Sequence, residues 1–549
     1  MKGLNSHCMN KISTYRIFTG TGFSRIHGMP AAIVLSVIWM MLSASPAAAV
    51  PGGTVAQDGS APDRTLIEHG PFERIERRNL WNLGHNINGL RTDSVTISYA
   101  EIHGNFTSGG FHDSYQASSS WNAGAEARTM VHLKKFSMSG AFSFDNFSGK
   151  GMYGSMSARP GYYPVDVLEF TPGNKTMQTY SFSGGISADL NPHWRLGAAM
   201  DYTGANYTKR KDLRHSNFLL DMTVSPSVMY HDGDLSLGLS YIFGKNSETI
   251  DAEELGISSS TYYAFLDKGL MFGAYEVWEG SGVHLAESGI NGFPIKEFIH
   301  GAAAQVQWKS FFAELAYFYS SGSAGEKQSI WFEFPGHKAE AGIGYAFGKD
   351  ESRHFLRMGI SWQTQNNNEN VLVQNTVDGV TTTEKLGSNR IFERRLTTFS
   401  PSYEWISDKA FIRCGAEISY LYRLSSQMYP YLFSRNDFIG RGYVSGTCSI
   451  RMFDLKAGLA FSCGKGSENE RTTESGISTG DLPYRLTGWH NLQSEYMTAP
   501  RLEAALALRF NFRKGLYMEA SAGYTRGFSL QYLPGPDRWS ENLRFGYTF

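Results

Sequence analysis

Ten ionisable residues stand out because each interrupts a run in which every second residue is apolar or small: Glu314, Glu340, Arg357, Arg413, Glu417, Lys456, Glu503, Arg509, Glu519 and Arg544. Successive side chains of an extended chain point to opposite faces, so all ten are expected opposite the apolar residues. If that face lines a closed lumen, the chemistry it offers is electrostatic. A ring of one sign would make an ion-selective constriction. The mixture of signs suits a water-filled polar pore, or internal ion pairs that brace an occluded one.

Bond-making chemistry has less support. A covalent mechanism needs a nucleophile, a neighbouring base and a third group that orients the base. His103, His112, His284, His300, His337 and His490 are scattered, with no nucleophile motif and no metal pair beside them. Beyond residue 50 the cysteines are Cys414, Cys448 and Cys463, odd in number and far apart. They fit small strand residues better than a disulfide framework or a metal knuckle. No catalytic, cofactor-binding or metal-binding residue is assigned, and the chain is read as a non-enzyme.

The elements that must carry these charges are strands. Leu235, Leu237, Leu239, Tyr241 and Phe243 share one face of a run whose other face is mainly Ser and Gly. Leu502, Ala504, Leu506, Leu508, Phe510 and Phe512 alternate with Glu503, Ala505, Ala507, Arg509 and Asn511 in the same way. The same period of two runs through Ala339 to Phe347, Leu356 to Trp362, Ile412 to Tyr422, Leu455 to Phe461 and Leu516 to Tyr524. The composition agrees, with 59 Gly, 14% aromatic residues and a mean hydropathy of −0.30. No segment after the amino-terminal region has the unbroken apolar stretch of a membrane helix. A closed barrel crosses a membrane without one, because its backbone groups pair between strands and only alternate side chains meet lipid.

Soluble sandwiches and propellers also alternate. The connections favour a transmembrane antiparallel β-barrel, since short polar turns alternate with long polar excursions. Eight tight turns are read at Lys134-Lys135, Asn191-Pro192, Asp232-Gly233, Lys309-Ser310, Lys349-Asp350-Glu351, Asp408-Lys409, Phe453-Asp454 and Arg513-Lys514-Gly515. With a first strand near Ser94 to Gly104 and a last at Asn542 to Phe549, they give about 18 strands, or 16 if weak turns are miscounted. An even number leaves both ends in the periplasm. The long excursions, expected as extracellular loops, are Gly149 to Lys175, Lys245 to Glu297, Asn366 to Asn389 and Lys465 to Tyr496. The second holds an acidic cluster, Asp251-Ala252-Glu253-Glu254, and an aromatic one, Tyr262-Tyr263-Ala264-Phe265 with Tyr275 and Trp278. The acidic spacing matches no calcium loop and reads as solvated.

Both ends of the chain point to export. Lys2, Lys11, Arg16 and Arg25 precede an apolar run from Met29 to about Leu42, which ends in Ala47-Ala48-Ala49. That order reads as a signal peptide over residues 1–49. Those four basic residues are among 50 Lys+Arg, and none of the 51 Asp+Glu lies before residue 50, so the mature chain carries about −5. Such a balance gives no reason to expect nucleic acid. Residues 50–92 form a mixed-charge periplasmic segment, expected as a disordered lead-in or a small plug. Residues 93–549 form the barrel. At the carboxyl end Leu543, Phe545, Tyr547 and Phe549 occupy one face and Arg544, Gly546 and Thr548 the other. That end resembles the terminal signature read by the bacterial barrel-assembly machinery.

A broader resemblance rests on Arg77-Arg78-Asn79-Leu80-Trp81-Asn82-Leu83-Gly84-His85-Asn86-Ile87-Asn88-Gly89-Leu90, on Tyr180-Ser181-Phe182-Ser183-Gly184-Gly185, and on Lys209-Arg210-Lys211-Asp212-Leu213-Arg214-His215-Ser216-Asn217. These segments resemble an uncharacterised outer-membrane β-barrel family of Bacteroidota, the DUF6850 type. The resemblance implies fold and location, and transfers no catalytic residue.

The expected role is therefore a passive channel or transport component for a small solute in the outer membrane. The alternative is a non-catalytic partner of a surface lipoprotein or uptake complex. An outer-membrane hydrolase ranks behind both. Lipid and, during biogenesis, the assembly machinery are the other partners expected, and no cofactor is.

Overall fold

The computed structural model describes residues 66–549 except 93, 212, 254–263, 270–274, 278–289, 327–328, 350, 379, 427–431 and 472–485. Residues 1–49, read as the signal, lie outside that set, as do His284, Glu254, Tyr262, Tyr263 and Trp278.

Alternating faces produce strands along nearly the whole chain. They are β1 (Ile97–Gly109), β2 (Ser119–His132), β3 (Phe136–Ser155), β4 (Asp166–Asp189), β5 (Trp194–Lys209), β6 (Arg214–Asp232), β7 (Leu235–Glu253), the short β8 (Ala264–Asp267) and β9 (Tyr275–Val277), and β10 (Ile290–Trp308). After these come β11 (Phe311–Glu326), β12 (Ser329–Lys349), β13 (Ser352–Val377), β14 (Val380–Ser407), β15 (Ile412–Ser426), β16 (Leu432–Ile450), β17 (Phe453–Arg471), β18 (Arg501–Asn511), β19 (Leu516–Gly527) and β20 (Asp537–Thr548). Apart from β8 and β9, each pairs antiparallel with the next, and β7 pairs directly with β10. The ring is closed by β1 against β20, from Tyr99 opposite Thr548 to Gly109 opposite Arg538. The wall is thus a closed antiparallel barrel of 18 strands, the larger of the two numbers expected.

Closure removes the open edge, which is the condition for crossing a hydrocarbon layer with strands. Leu237, Leu239 and Tyr241 on β7 and Leu502, Leu506 and Leu508 on β18 are exposed on the outside, while Ser236 and Ser240 are buried within. Among the described residues no helix is long and apolar enough to cross a membrane.

Short turns gather at one mouth, called inner below, and longer connections at the other. Seven of the eight turns fall between strands where they were expected, Asp350 itself lying outside the described residues. The eighth lies at Arg451-Met452 rather than Phe453-Asp454, because Arg451 takes the left-handed conformation at φ 57°. Asp454 is instead part of β17, accepting from Ser449 Oγ at 2.5 Å and Asn511 Nδ2 at 2.6 Å.

The outer excursions also need correction. Asn366 to Asn389 is strand rather than loop: β13 and β14 run for 26 and 28 residues as one projecting hairpin. About 9 to 11 residues suffice to span a bilayer. The β-branched residues Val371, Val373, Thr376, Val377, Val380 and Thr381 favour extension, and Asp378-Gly379 is a strong hairpin-turn pair. Gly149 to Lys175 shrinks to a connection at 156–165. Within Lys465 to Tyr496 begins a helix (Leu486–Thr498). Phe265, placed by the sequence in an aromatic cluster of a long excursion, is buried in β8 against Phe170. Its neighbour Leu266 belongs to an apolar cap at the outer mouth, built with Val167, Phe293, Ile295, Phe332 and Phe334.

Candidate functional site

The lumen is occupied at its inner end by the chain's own residues 66–92. Their first element is α1 (Pro71–Arg78), with Pro at its start, Glu73 in the first turn and Arg77 and Arg78 in the last. That order matches the helix dipole. Two 3₁₀ turns follow, Leu80–Leu83 and Ile87–Thr92. Asparagines hold the segment together where regular structure does not. Asn79 Oδ1 accepts from the Trp81 amide at 3.1 Å and its Nδ2 donates to the Gly89 carbonyl at 3.0 Å. Asn82 donates to the Glu76 carbonyl at 2.9 Å, and Asn86 Oδ1 accepts from the Asn88 amide at 3.1 Å.

Of the segment 50–92, residues 50–65 lie outside the described residues, and for residues 66–92 this path agrees with the small plug rather than the disordered lead-in. Its polarity is matched by the wall, where Asn86 and Asn88 are buried, and five of its apolar residues are buried too: Leu66, Ile67, Phe72, Leu80 and Trp81. Trp81 packs edge-on against Phe312 with centroids 5.3 Å apart, and its indole N–H donates to Gln307. Ile87 lies on Gly185 of β4 and Gly197 of β5, where an added Cβ would come within 2.5 and 2.4 Å of it.

Sequence-assigned charges of the wall meet this segment. Glu314 accepts from the His85 amide at 2.7 Å and pairs with its ring at 2.6 Å, while Glu340 lies 3.8 Å from the other ring nitrogen and 2.6 Å from Lys338. Arg357 donates to Glu404 at 2.9 Å, and Arg77 donates to the same carboxylate at 3.2 Å. Arg413 donates to the Leu66 carbonyl at 3.0 Å. Lys456 and Arg509 lie 2.6 and 3.5 Å from Glu519, which also holds His69 at 2.6 Å. The remaining three are paired within the wall. Glu417 and Glu503 lie 3.7 and 2.7 Å from Arg441, and Arg544 is 3.0 Å from Glu101. Further ion pairs join Arg78 to Asp408, Arg91 to Asp189 and Glu76 to Arg128.

Two groups of the segment have shifted acidities. Burial pushes the Glu76 carboxyl up, and Arg128 offsets this only in part. Burial disfavours the His85 cation, but the Glu314 hydrogen bond and charge outweigh it, so His85 is raised.

The opposite end is narrowed by the connection 156–165, which folds onto the wall. Ser157 Oγ and the Ala158 amide donate to Glu248 at 2.6 and 2.7 Å. Arg159 pairs with Asp221 at 2.5 Å, and the Tyr162 hydroxyl donates to Glu297 at 2.9 Å. Arg394 reaches across to donate to the Gly161 and Tyr162 carbonyls at 2.7 and 3.0 Å. Burial and the adjacent Glu297 push the Tyr162 phenol well above its ordinary range, which keeps it a neutral donor.

Between this roof and the amino-terminal floor lies a chamber of about 560 Å³. Its size falls within the usual range of small-molecule sites, roughly 300 to 1,000 Å³. Ser139, Ser183, Thr203, Thr223 and Ser225 give one side a hydroxyl lining, and Ile242, Ile299 and Phe318 make another side apolar. Asp201 also lines it. Glu404, Glu101, Arg441 and Asp201 were missed in the sequence, although each obeys the same alternation. The histidines once weighed for catalysis are dispersed: His103 bonds Asp145, His300 and His337 bond Tyr241 and Tyr317, and His490 stacks on Phe433.

The family model of DUF6850, described as a family of unknown function, matches residues 89–549. No curated protein matches the sequence. Similar solved structures include the RagAB peptide transporter, 9% identical, with 94% of this chain and 82% of that chain covered at a TM-score of 0.39. The copper transporter OprC is 7% identical, covering 83% and 81% at 0.40. The ferric preacinetobactin receptor BauA from Acinetobacter baumannii is 7% identical, covering 83% and 80% at 0.38.

Proposed function

We propose, for a chain that belongs to the DUF6850 family of unknown function, a transport role in which a small solute crosses the lumen through the chamber when residues 66–92 move aside. The observation that carries this reading is the floor itself. It is held to the wall by ion pairs and hydrogen bonds from Arg77, Arg78, His85 and Arg91, interactions that water can replace. The apolar exterior and the signal-like residues 1–49 support placement in the outer membrane of a Gram-negative bacterium, and the family resemblance supports Bacteroidota. The short turns then face the periplasm. Leu543, Phe545, Tyr547 and Phe549 serve as the signal for barrel assembly and meet lipid.

The test is conductance in planar bilayers. The intact protein is expected near background. Replacing Arg77, Arg78 and Arg91 by Ser and His85 by Ala is expected to open stable channels, with heat-modifiable migration on gels reporting that the barrel has formed. A folded variant that conducts no better than the intact protein, together with a folded barrel lacking residues 66–92 that also fails to conduct, overturns the reading.

A second reading, as the partner of a surface lipoprotein or uptake complex, draws on the projecting β13–β14 hairpin. Val371, Val377 and Leu386 are exposed along it. A stoichiometric partner isolated from native membranes and lost on Val377→Asp would favour this reading.

A further inference from the structure

We propose that the chamber binds a small organic cation, an amine whose ammonium group sits on Asp201; this rests on reading the chamber as a solute compartment. Asp201 lies on the inward face of β5, since Met200 before it is 47% exposed on the outside. The other acidic side chains lining the chamber are engaged. Glu76 is held by Arg128, Asp221 by Arg159, Glu297 by the Tyr162 hydroxyl and Glu340 by Lys338. Among the described residues the Asp201 carboxylate has no hydrogen bond and no ion pair. A carboxylate drawn out of bulk water without a partner is unfavourable, and a cationic ligand supplies the missing partner.

The surroundings fit an ammonium head with a hydrocarbon body. The residues level with Asp201 on the neighbouring strands are Ser183 on β4 and Thr223 on β6, whose hydroxyls accept further N–H bonds. Ala141, opposite Ser183 on β3, and Ala199, two residues along β5, leave space beside them. Gly244 of β7 continues the same row beyond Thr223, and Ile242 adjoins it on the inward face. At about 4.8 Å per strand, the apolar patch of Ile242, Ile299 and Phe318 begins roughly 10 Å from Asp201. That separation suits a chain of a few carbons. An anion would be repelled by Asp201, and a sugar would leave its charge uncompensated.

Equilibrium binding to the purified full barrel in detergent tests this, using n-hexylamine, n-hexanol and hexanoate as probes of one length and different charge. Hexylamine is expected to bind at least tenfold more tightly than the other two. Asp201→Asn, which keeps shape and removes charge, is expected to abolish that preference, and Asp201→Glu to retain part of it. Heat-modifiable migration checks that each variant is folded. Equal binding of hexylamine and hexanol, or an unchanged preference in Asp201→Asn, overturns the proposal. The two readings fail separately. Charge-selective binding with no conductance after release of the floor would sink transport alone, whereas conductance without amine preference would sink this site alone.

Discussion

Arg77 of the amino-terminal segment and Arg357 of β13 donate to one carboxylate, Glu404 of β14, at 3.2 and 2.9 Å. Arg413 lies 3.8 Å from it. Glu404 is buried and therefore joins floor to wall. Its replacement by Gln leaves three guanidinium groups without their shared anion, and loss of one partner from a buried pair costs about 3 kcal/mol. Urea unfolding should show a loss of that order. Arg77→Ala should cost less, because Arg357 still neutralises Glu404. Equal losses would mean that the floor, not the wall, depends on this carboxylate.

The hold of the floor should weaken in alkali. His85 faces Glu314, Glu340 and Lys338, and its pKa is raised above the ordinary 6.5. A basic group raised on docking stabilises fully below its undocked value, and that contribution is lost as pH rises through the docked one. Amide exchange across residues 80–92, corrected for intrinsic rate, should be slow at about pH 6 and faster at about pH 9. In His85→Gln the difference should flatten. A slope that survives the substitution would assign the effect to another group.

The floor also approaches the wall closely at a second place. Gly197 admits Ile87 so closely that an added Cβ would lie 2.4 Å from it, and 2.9 Å from the Asn88 amide oxygen. Gly197→Val should lift the Ile87 turn while the strands stay paired. Limited proteolysis should then cut between residues 66 and 92, with barrel migration unchanged. Protection equal to the native protein would show that the wall yields instead.

The closing strand yields a prediction about biogenesis. The Phe549 amide donates to the Ser98 carbonyl at 2.8 Å, so the terminal aromatic residue also completes the seam. Deleting Phe549 should reduce the heat-modifiable, membrane-inserted fraction several-fold. Phe549→Tyr should largely restore it. Full assembly of the deletion would remove the residue from the assembly signal.

The wall was largely legible in the sequence because period-two alternation is a local property. Lys309-Ser310 and Asp408-Lys409 could be placed because turn chemistry is local too. What local pattern could not supply was pairing across the lumen. Nothing near Arg77 in the chain indicates Glu404, which is 327 residues away. The polarity of segment 66–92 left a small plug and a disordered lead-in equally open, because the polar partners that hold it lie far away in the chain. The Asp378-Gly379 pair signalled the hairpin that was taken for a loop, since neighbouring Asn and Thr residues gave the stretch a loop-like polarity. Asp201 was readable in principle between Met200 and Tyr202. Its lack of a partner was visible only after the other chamber acids had found theirs.

The seam between β1 and β20 imposes a chronology. The floor belongs to the first part of the chain that the structure describes, and the ring around it is sealed only where β1 meets β20. Until those two strands pair, residues 66–92 have only an open sheet to fold against. Enclosure of the floor is thus a late event, simultaneous with closure of its container, and a barrel stalled before its last strand would still have its floor accessible from the side.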